Sequence, residues 1–306
     1  MANFRDTVLR LQVPAGWTVE PAEHRIALAG AGQEETQRFV VWIPTPAAEG
    51  SFRIQAVADF QGKQFLRGYR VIEYPHVRSH LLYRDAVTHV QAFTVDTAPG
   101  LNVGYVMGAG DAVPSAIEQL GIGMRLLSPE ELASADLGQY DTLVVGARAY
   151  ELRRDLVANQ QRLLEYVREG GTLIVQYQTI AANRVTFAPY PAKLSNDRVV
   201  DETAPVTILE PGHAIFHRPN RITERDFGGW IQERGRNFLE QWDERFTPLL
   251  ESHDPGEPPR RGGMVVTTYG KGTYVYTGYA WFRQLPAGVP GAFRIFANLL
   301  TLPRAK

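Results

Sequence analysis

The sequence predicts two domains, an all-β sandwich followed by an α/β domain built on a parallel sheet. Three observations predict this. Residues 5–73 carry short strands of period two, separated by turn residues. From residue 101 the pattern changes to strand, loop and helix, and then repeats. The chain has 306 residues, enough for two separate cores.

In the first region Val8-Leu9-Arg10-Leu11-Gln12-Val13 alternates as a half-buried strand does, and Pro14-Ala15-Gly16-Trp17 turns the chain. Arg38 to Ile43 reads as a strand stopped by Pro44 and Pro46. Phe52 to Ala58 alternates again, and Gln61-Gly62-Lys63-Gln64 reads as a hairpin turn before a last strand, Tyr69 to Tyr74. Regular short strands of this kind predict an immunoglobulin-like β-sandwich over residues 1–75. Residues 76–100 read as a connector with one strand-like stretch, Thr88 to Val95, and Pro99-Gly100 marks entry to a second domain over 101–306.

In the second region Asn102 to Met107 is a short apolar strand, and Gly108-Ala109-Gly110-Asp111 is a tight loop. Pro114 to Leu120 reads as a helix with proline in its first turn and Gly121 beyond its end. Arg125 to Leu127 and Thr142 to Gly146 are further strands. Leu156 to Arg168 is an amphipathic helix closed by Gly170-Gly171, and Thr172 to Val175 is the next strand. Residues 180–263 are irregular, with one strand at Pro205 to Leu209 and a short helix or insertion between Asp226 and Phe238. Met264–Thr268 and Gly272–Tyr279 form a hairpin, and Pro290 to Leu300 is a closing helix.

Hydrophobic residues make up 44% of the chain and charged residues 21%, with a formal net charge of −1. That balance gives no bulk attraction to nucleic acid or to an anionic membrane, and no apolar run is long enough to span one. The first residues, Met1-Ala2-Asn3-Phe4-Arg5-Asp6, lack an apolar signal core. The chain as written is therefore expected in the cytoplasm, and in the periplasm or outside the cell if it belongs to a longer precursor. There is no cysteine, which excludes disulfides, thiolate metal sites and a thiol nucleophile. The strand end where a nucleophile is expected reads Leu173-Ile174-Val175-Gln176-Tyr177-Gln178, and no Gly-x-Ser-x-Gly elbow replaces it.

The stretches Val103-Gly104-Tyr105-Val106, Tyr140 to Gly146 and Gly170-Gly171-Thr172-Leu173-Ile174-Val175 resemble the flavodoxin-like, class I glutamine amidotransferase-like fold. Glu210 to Phe216, Tyr269-Gly270-Lys271-Gly272 and Tyr274 to Gly278 resemble its ThuA-like branch. Ala147-Arg148-Ala149-Tyr150, Leu156 to Leu163, Pro189-Tyr190-Pro191-Ala192-Lys193 and Arg283 to Gly291 resemble the C-terminal, non-catalytic part of large bacterial PIG-L/LmbE-type deacetylases. On that resemblance the N-terminal sandwich is similar to the small β-domain beside some bacterial glycosidases. The His-Pro-Asp-Asp-Glu zinc signature of the deacetylase and the Cys-His-Glu triad of true amidotransferases are both missing. The resemblance implies a fold and an association with sugar chemistry, and carries no catalytic residue.

In open α/β sheets ligands bind beyond the C-terminal strand ends. The candidate ligand-binding residues there are Asp111, Arg148, Tyr150, Gln176, Tyr177, Gln178, Trp281 and Arg283. Amides, rings and guanidinium groups of this kind stack on a sugar and bond its hydroxyls. The Gly108-Ala109-Gly110-Asp111 loop lacks the third glycine of a dinucleotide fingerprint and reads as a turn. His213 and His217 have zinc-ligand spacing, but Pro211-Gly212 and Pro219 oppose a helix there. No metal and no cofactor are expected.

These readings predict a non-catalytic accessory module that binds a sugar or cell-envelope ligand beside the deacetylase domain of a parent protein. One alternative is a hydrolase of carbohydrate or amide using Asp111, Glu151 or Asp254 with His213, which requires Asp111 and His213 to converge. Another is a structural oligomerisation domain packing through Tyr274 to Tyr279.

Overall fold

A computed structural model describes residues 4–304 except 29, 31, 46 and 47. Met1 to Asn3 of the expected leaderless start, and Pro46 as a strand stop, lie outside the described residues. The chain divides into two compact units, Met1–Thr94 and Val95–Lys306.

In the first unit the strand Gly50–Phe60 is the hub of a five-stranded antiparallel sheet. Phe4–Gln12, Lys63–Phe65 and Val87–Ala92 pair with it, and His24–Leu28 extends the sheet beyond Phe4–Gln12. Thr18–Glu20 and Val40–Trp42 form a separate pair. Val57, Ile54 and Trp17 are buried, with the Trp17 ring 5.1 Å from that of Phe52.

The expected connector is instead largely strand. Val77–Asp85 pairs with Arg67–Tyr74, and Val87–Ala92 belongs to the main sheet. Val77–Asp85 escapes a period-two reading because all nine of its residues are exposed and Leu81-Leu82 breaks the alternation. The buried Gln55 amide donates to the carbonyls of Leu66 and Ala86, clamping the root of this hairpin.

The second unit is built on a seven-stranded sheet. Its parallel strands lie in the spatial order Gly123–Leu126, Asn102–Val106, Thr142–Val145, Thr172–Gln176, Gly272–Thr277. Met264–Tyr269 and Thr247–Pro248 add antiparallel at the far edge. The first strand in sequence therefore lies between the second and the third, so the chain reverses direction across the sheet between Asn102–Val106 and Thr142–Val145. The predicted helix Leu156–Arg168 is two helices, Arg154–Ala158 and Gln160–Glu169, broken at Asn159.

Both faces of the sheet are covered, which explains the continuous apolar runs of its strands. Leu143, Val145, Leu173, Val175, Tyr274 and Tyr276 form one core with Leu163 and Val167 of the helix Gln160–Glu169. On the other face the closing helix Pro290–Thr301 packs close, and the Thr142 hydroxyl bonds the Leu300 carbonyl at 2.9 Å. Asn298, fully buried in that helix, holds Asn220, and Asn220 in turn bonds the backbone of Asp96 through both its amide atoms.

Gly291 lies where this helix meets the turn Glu224–Phe227. A Cβ there would stand 1.9 Å from the Asp226 carbonyl oxygen. Alanine favours a helix over glycine by about 1 kcal/mol, but forced overpacking costs about 1–3 kcal/mol. Gly291→Ala is accordingly expected to lower the urea midpoint despite its better helix propensity, and an unchanged or raised midpoint would contradict this packing.

Candidate functional site

Because the faces are sealed, the strand ends are where the sheet presents polar groups. At the C-terminal end, where the chain reverses across the sheet, two loops meet. Ala109 N–H donates to the Ala147 carbonyl at 2.8 Å, and Gly108 is so close that a Cβ would meet that same oxygen at 2.0 Å. Tyr105 extends from the buried face to this end. Its hydroxyl donates to Asp111 Oδ1 at 2.8 Å and accepts from Gln176 Nε2 at 2.9 Å. Burial, and then the Asp111 charge, holds the phenol well above the usual tyrosine range, so it stays a donor. Val113 N–H also donates to Asp111 Oδ1.

The other oxygens of this chain, Asp111 Oδ2 and Gln176 Oε1, are buried acceptors with no partner among the described residues. Such atoms require a donor from elsewhere. Beside them Arg236 sits over the Tyr177 ring at 5.8 Å, and Tyr177 stacks on Phe282 at 5.6 Å. Arg236 Nε is buried without a partner, and no carboxylate pairs with this guanidinium among the described residues.

The predicted residues therefore fall into two groups. Asp111, Gln176 and Tyr177 gather at this end, with the Arg148 backbone bonded to the Tyr177 carbonyl at 2.8 Å. The others serve the scaffold. Trp281 is fully buried and its indole donates to Thr277 Oγ1. The Tyr150 hydroxyl is buried against Gln160, and the Gln178 amide is committed to Tyr150 N, Gly146 O and Gln176 O. Arg283 bonds Glu233 at 2.8 Å and Gln232. Tyr150, Gln178 and Trp281 offer no ligand surface, because the same size and polarity that suit a sugar also suit the core. Tyr105 and Arg236 were missed. Tyr105 sits inside an apolar strand, where only its hydroxyl's reach betrays it, and nothing local marks Arg236.

Arg148 has φ 60 and ψ 19, the left-handed region, at the turn from the strand Thr142–Val145 into the next helix. Its side chain pairs with Glu151 at 2.8 Å, and Glu151 accepts from the Thr179 hydroxyl. The left-handed backbone costs a non-glycine residue about 1–2 kcal/mol, while the partly exposed ion pair contributes little. Arg148→Gly is expected to hold or raise the denaturation midpoint. Arg148→Val, β-branched at positive φ, should lower the unfolding free energy by about 1 kcal/mol or more, and the midpoint with it; equal midpoints for the two would disprove the strain.

His213 lies elsewhere. It lines a cavity with Thr273, whose partner Thr172 opens its strand, whereas Gln176 closes that strand. The two ends are roughly 13 Å apart at ~3.3 Å per residue. Asp111 and His213 do not converge, which removes the hydrolase built on that pair. Among the described residues no three His, Asp or Glu side chains form a metal-binding group, and no helix is long and apolar enough to cross a membrane. Burial holds the His213 pKa below its ordinary 6.5, against the opposing charge of Glu210. A depressed histidine favours the folded state above the unfolded pKa and loses that contribution as pH falls through 6.5. His213→Gln should flatten the fall in stability between neutral and mildly acidic pH, seen as a smaller shift in urea midpoint.

Residues 2–61 match the family model described as the NPCBM-associated, NEW3 domain of alpha-galactosidase. No curated protein matches the chain. Among solved structures, cytoplasmic protein STM1381 from Salmonella typhimurium LT2 is similar at 15% identity and a TM-score of 0.44, over 77% of this chain and 95% of that one. The mmIFT52 N-terminal domain is similar at 13% identity and 0.46, over 66% and 96%. A β-galactosidase from Rahnella sp. R3 is similar at 15% identity and 0.41, over 66% of this chain but only 31% of its own length. None of these structural likenesses bears on function. The family match is confined to residues 2–61, and its description names an α-galactosidase and no deacetylase.

Proposed function

We propose that this chain is a non-catalytic accessory module that holds a carbohydrate beside an enzyme acting on sugars. The observation that carries this reading is the NEW3 match over residues 2–61, a domain whose name ties it to an α-galactosidase. The unpartnered acceptors Asp111 Oδ2 and Gln176 Oε1 support it, since sugar hydroxyl or amino groups supply the donors they lack. In the finer form of the proposal, the neighbouring enzyme is a PIG-L-type deacetylase of N-acetyl sugars, and the second unit is an amidotransferase-like domain without its nucleophile. The 2-1-3-4-5 order of the parallel strands supports the latter.

The test is a glycan array on the intact chain, followed by calorimetric titration of the best hits. Saturable glycan binding is expected. Asp111→Asn, which replaces an acceptor oxygen by a donor, should weaken a ligand held at the sheet end roughly tenfold to a hundredfold. Absence of saturable binding across neutral, amino and acidic glycans would overturn the reading.

A further inference from the structure

At the opposite end of the same sheet is a row of threonines. Thr142, Thr172, Thr273 and Thr268 are neighbours across four adjacent strands, each the register partner of the next. They lie on the face that carries the closing helix. Thr142 is buried and bonded to that helix at Leu300. Past the helix end the row opens, and Thr273 and Thr268 line a cavity of about 510 Å³ with Thr247, His213 and Arg245. Val266 and Leu302 supply its apolar wall.

The cavity's polar groups are largely uncommitted. The hydroxyls of Thr247, Thr268 and Thr273 make no hydrogen bond among the described residues, unlike that of Thr267, also in the lining, which bonds the Arg245 carbonyl. His213 Nδ1 accepts from Ile215 N–H, so the neutral ring keeps its proton on Nε2 as a donor. Arg245 is the one cation in the lining. Its Nε and Nη2 are bound by Asp243 at 2.6 and 2.8 Å, and its Cζ lies 3.5 Å from the centroid of the Tyr190 ring.

We propose that this cavity is a binding site for a neutral hexose. The volume lies within the range of small-molecule sites. Hydroxyls that both donate and accept, set against an apolar wall, match a pyranose with its hydroxyl rim and C–H face. An anion finds no unpaired positive charge here, because Asp243 already neutralises Arg245 and burial favours the uncharged form of His213. The inference rests on the chemistry of this cavity and not on the NEW3 match, and the cavity is separated from Asp111 by the length of the strands.

The experiment is saturation-transfer NMR and calorimetry of the intact chain with D-glucose, D-galactose and D-mannose, and in parallel with D-glucose 6-phosphate and inorganic phosphate. At least one free hexose should bind more tightly than its phosphate counterparts. The isosteric pair Thr268→Val with Thr273→Val should weaken it about tenfold or more, the loss of one or two neutral hydrogen bonds. His213→Gln is the second variant, should the threonine pair unfold, and is expected to weaken the same hexose. Asp111→Asn should leave this binding unchanged. Hexose binding that survives both cavity variants, tighter binding of either phosphate, or no hexose binding overturns the proposal. Loss in Asp111→Asn alone overturns it too while supporting the sheet-end site, so the two readings fail separately.

Discussion

The constraint on which the second unit depends is a sheet sealed on both faces. Tyr274, Tyr276, Leu173 and Val175 are buried against the helix Gln160–Glu169 on one side, and the closing helix Pro290–Thr301 covers the other. A sheet in that position needs every ladder group paired and every side chain apolar or internally bonded. Polar chemistry is thereby displaced to the strand ends. The phenol of Tyr105 belongs to the core for most of its length and delivers one polar atom to the C-terminal end. The threonines do the same at the other end, where a hydroxyl replaces a methyl group at little cost in packing as long as a partner or an opening is available.

The alternation of strand and helix was readable because the strands of a doubly covered sheet are nearly all apolar and glycines mark where they stop. Thr142–Val145 and Thr172–Gln176 lie within a residue of their predicted spans. The hairpin Arg67–Asp85 was half missed, because strands wet on both faces carry no burial pattern: Tyr69, Val71, Leu81 and Tyr83 are all exposed. The site was readable only by position. Strand ends indicate where ligands bind, but not whether a side chain turns inward, and Trp281 and Gln178 turned inward. Thr268 and Thr273 carried no signal at all, since their adjacency is made by a hairpin register and their openness by where a distant helix stops.

The passage from the strand Thr142–Val145 into the helix Ala149–Leu152 is strained. A nucleophile elbow is a strained passage from strand to helix that lifts one side chain above the sheet. That passage occurs here after Thr142–Val145, one strand away from where the sequence placed it, and its left-handed residue is Arg148. A Cβ on Gly146 would meet the Tyr105 hydroxyl at 2.9 Å, so the turn is as tightly packed as such an elbow requires. A guanidinium, however, is not a nucleophile: it is always protonated and acts through its N–H donors. Glu151 takes two of those donors, and Thr179 steadies Glu151. The strained position thus holds a charged group committed to Glu151, while its backbone N–H ties the turn to the Tyr177 carbonyl. The ion pair with Glu151 fixes this turn, and the unpaired acceptors Asp111 Oδ2 and Gln176 Oε1 are the groups that the proposed ligand meets at this sheet end.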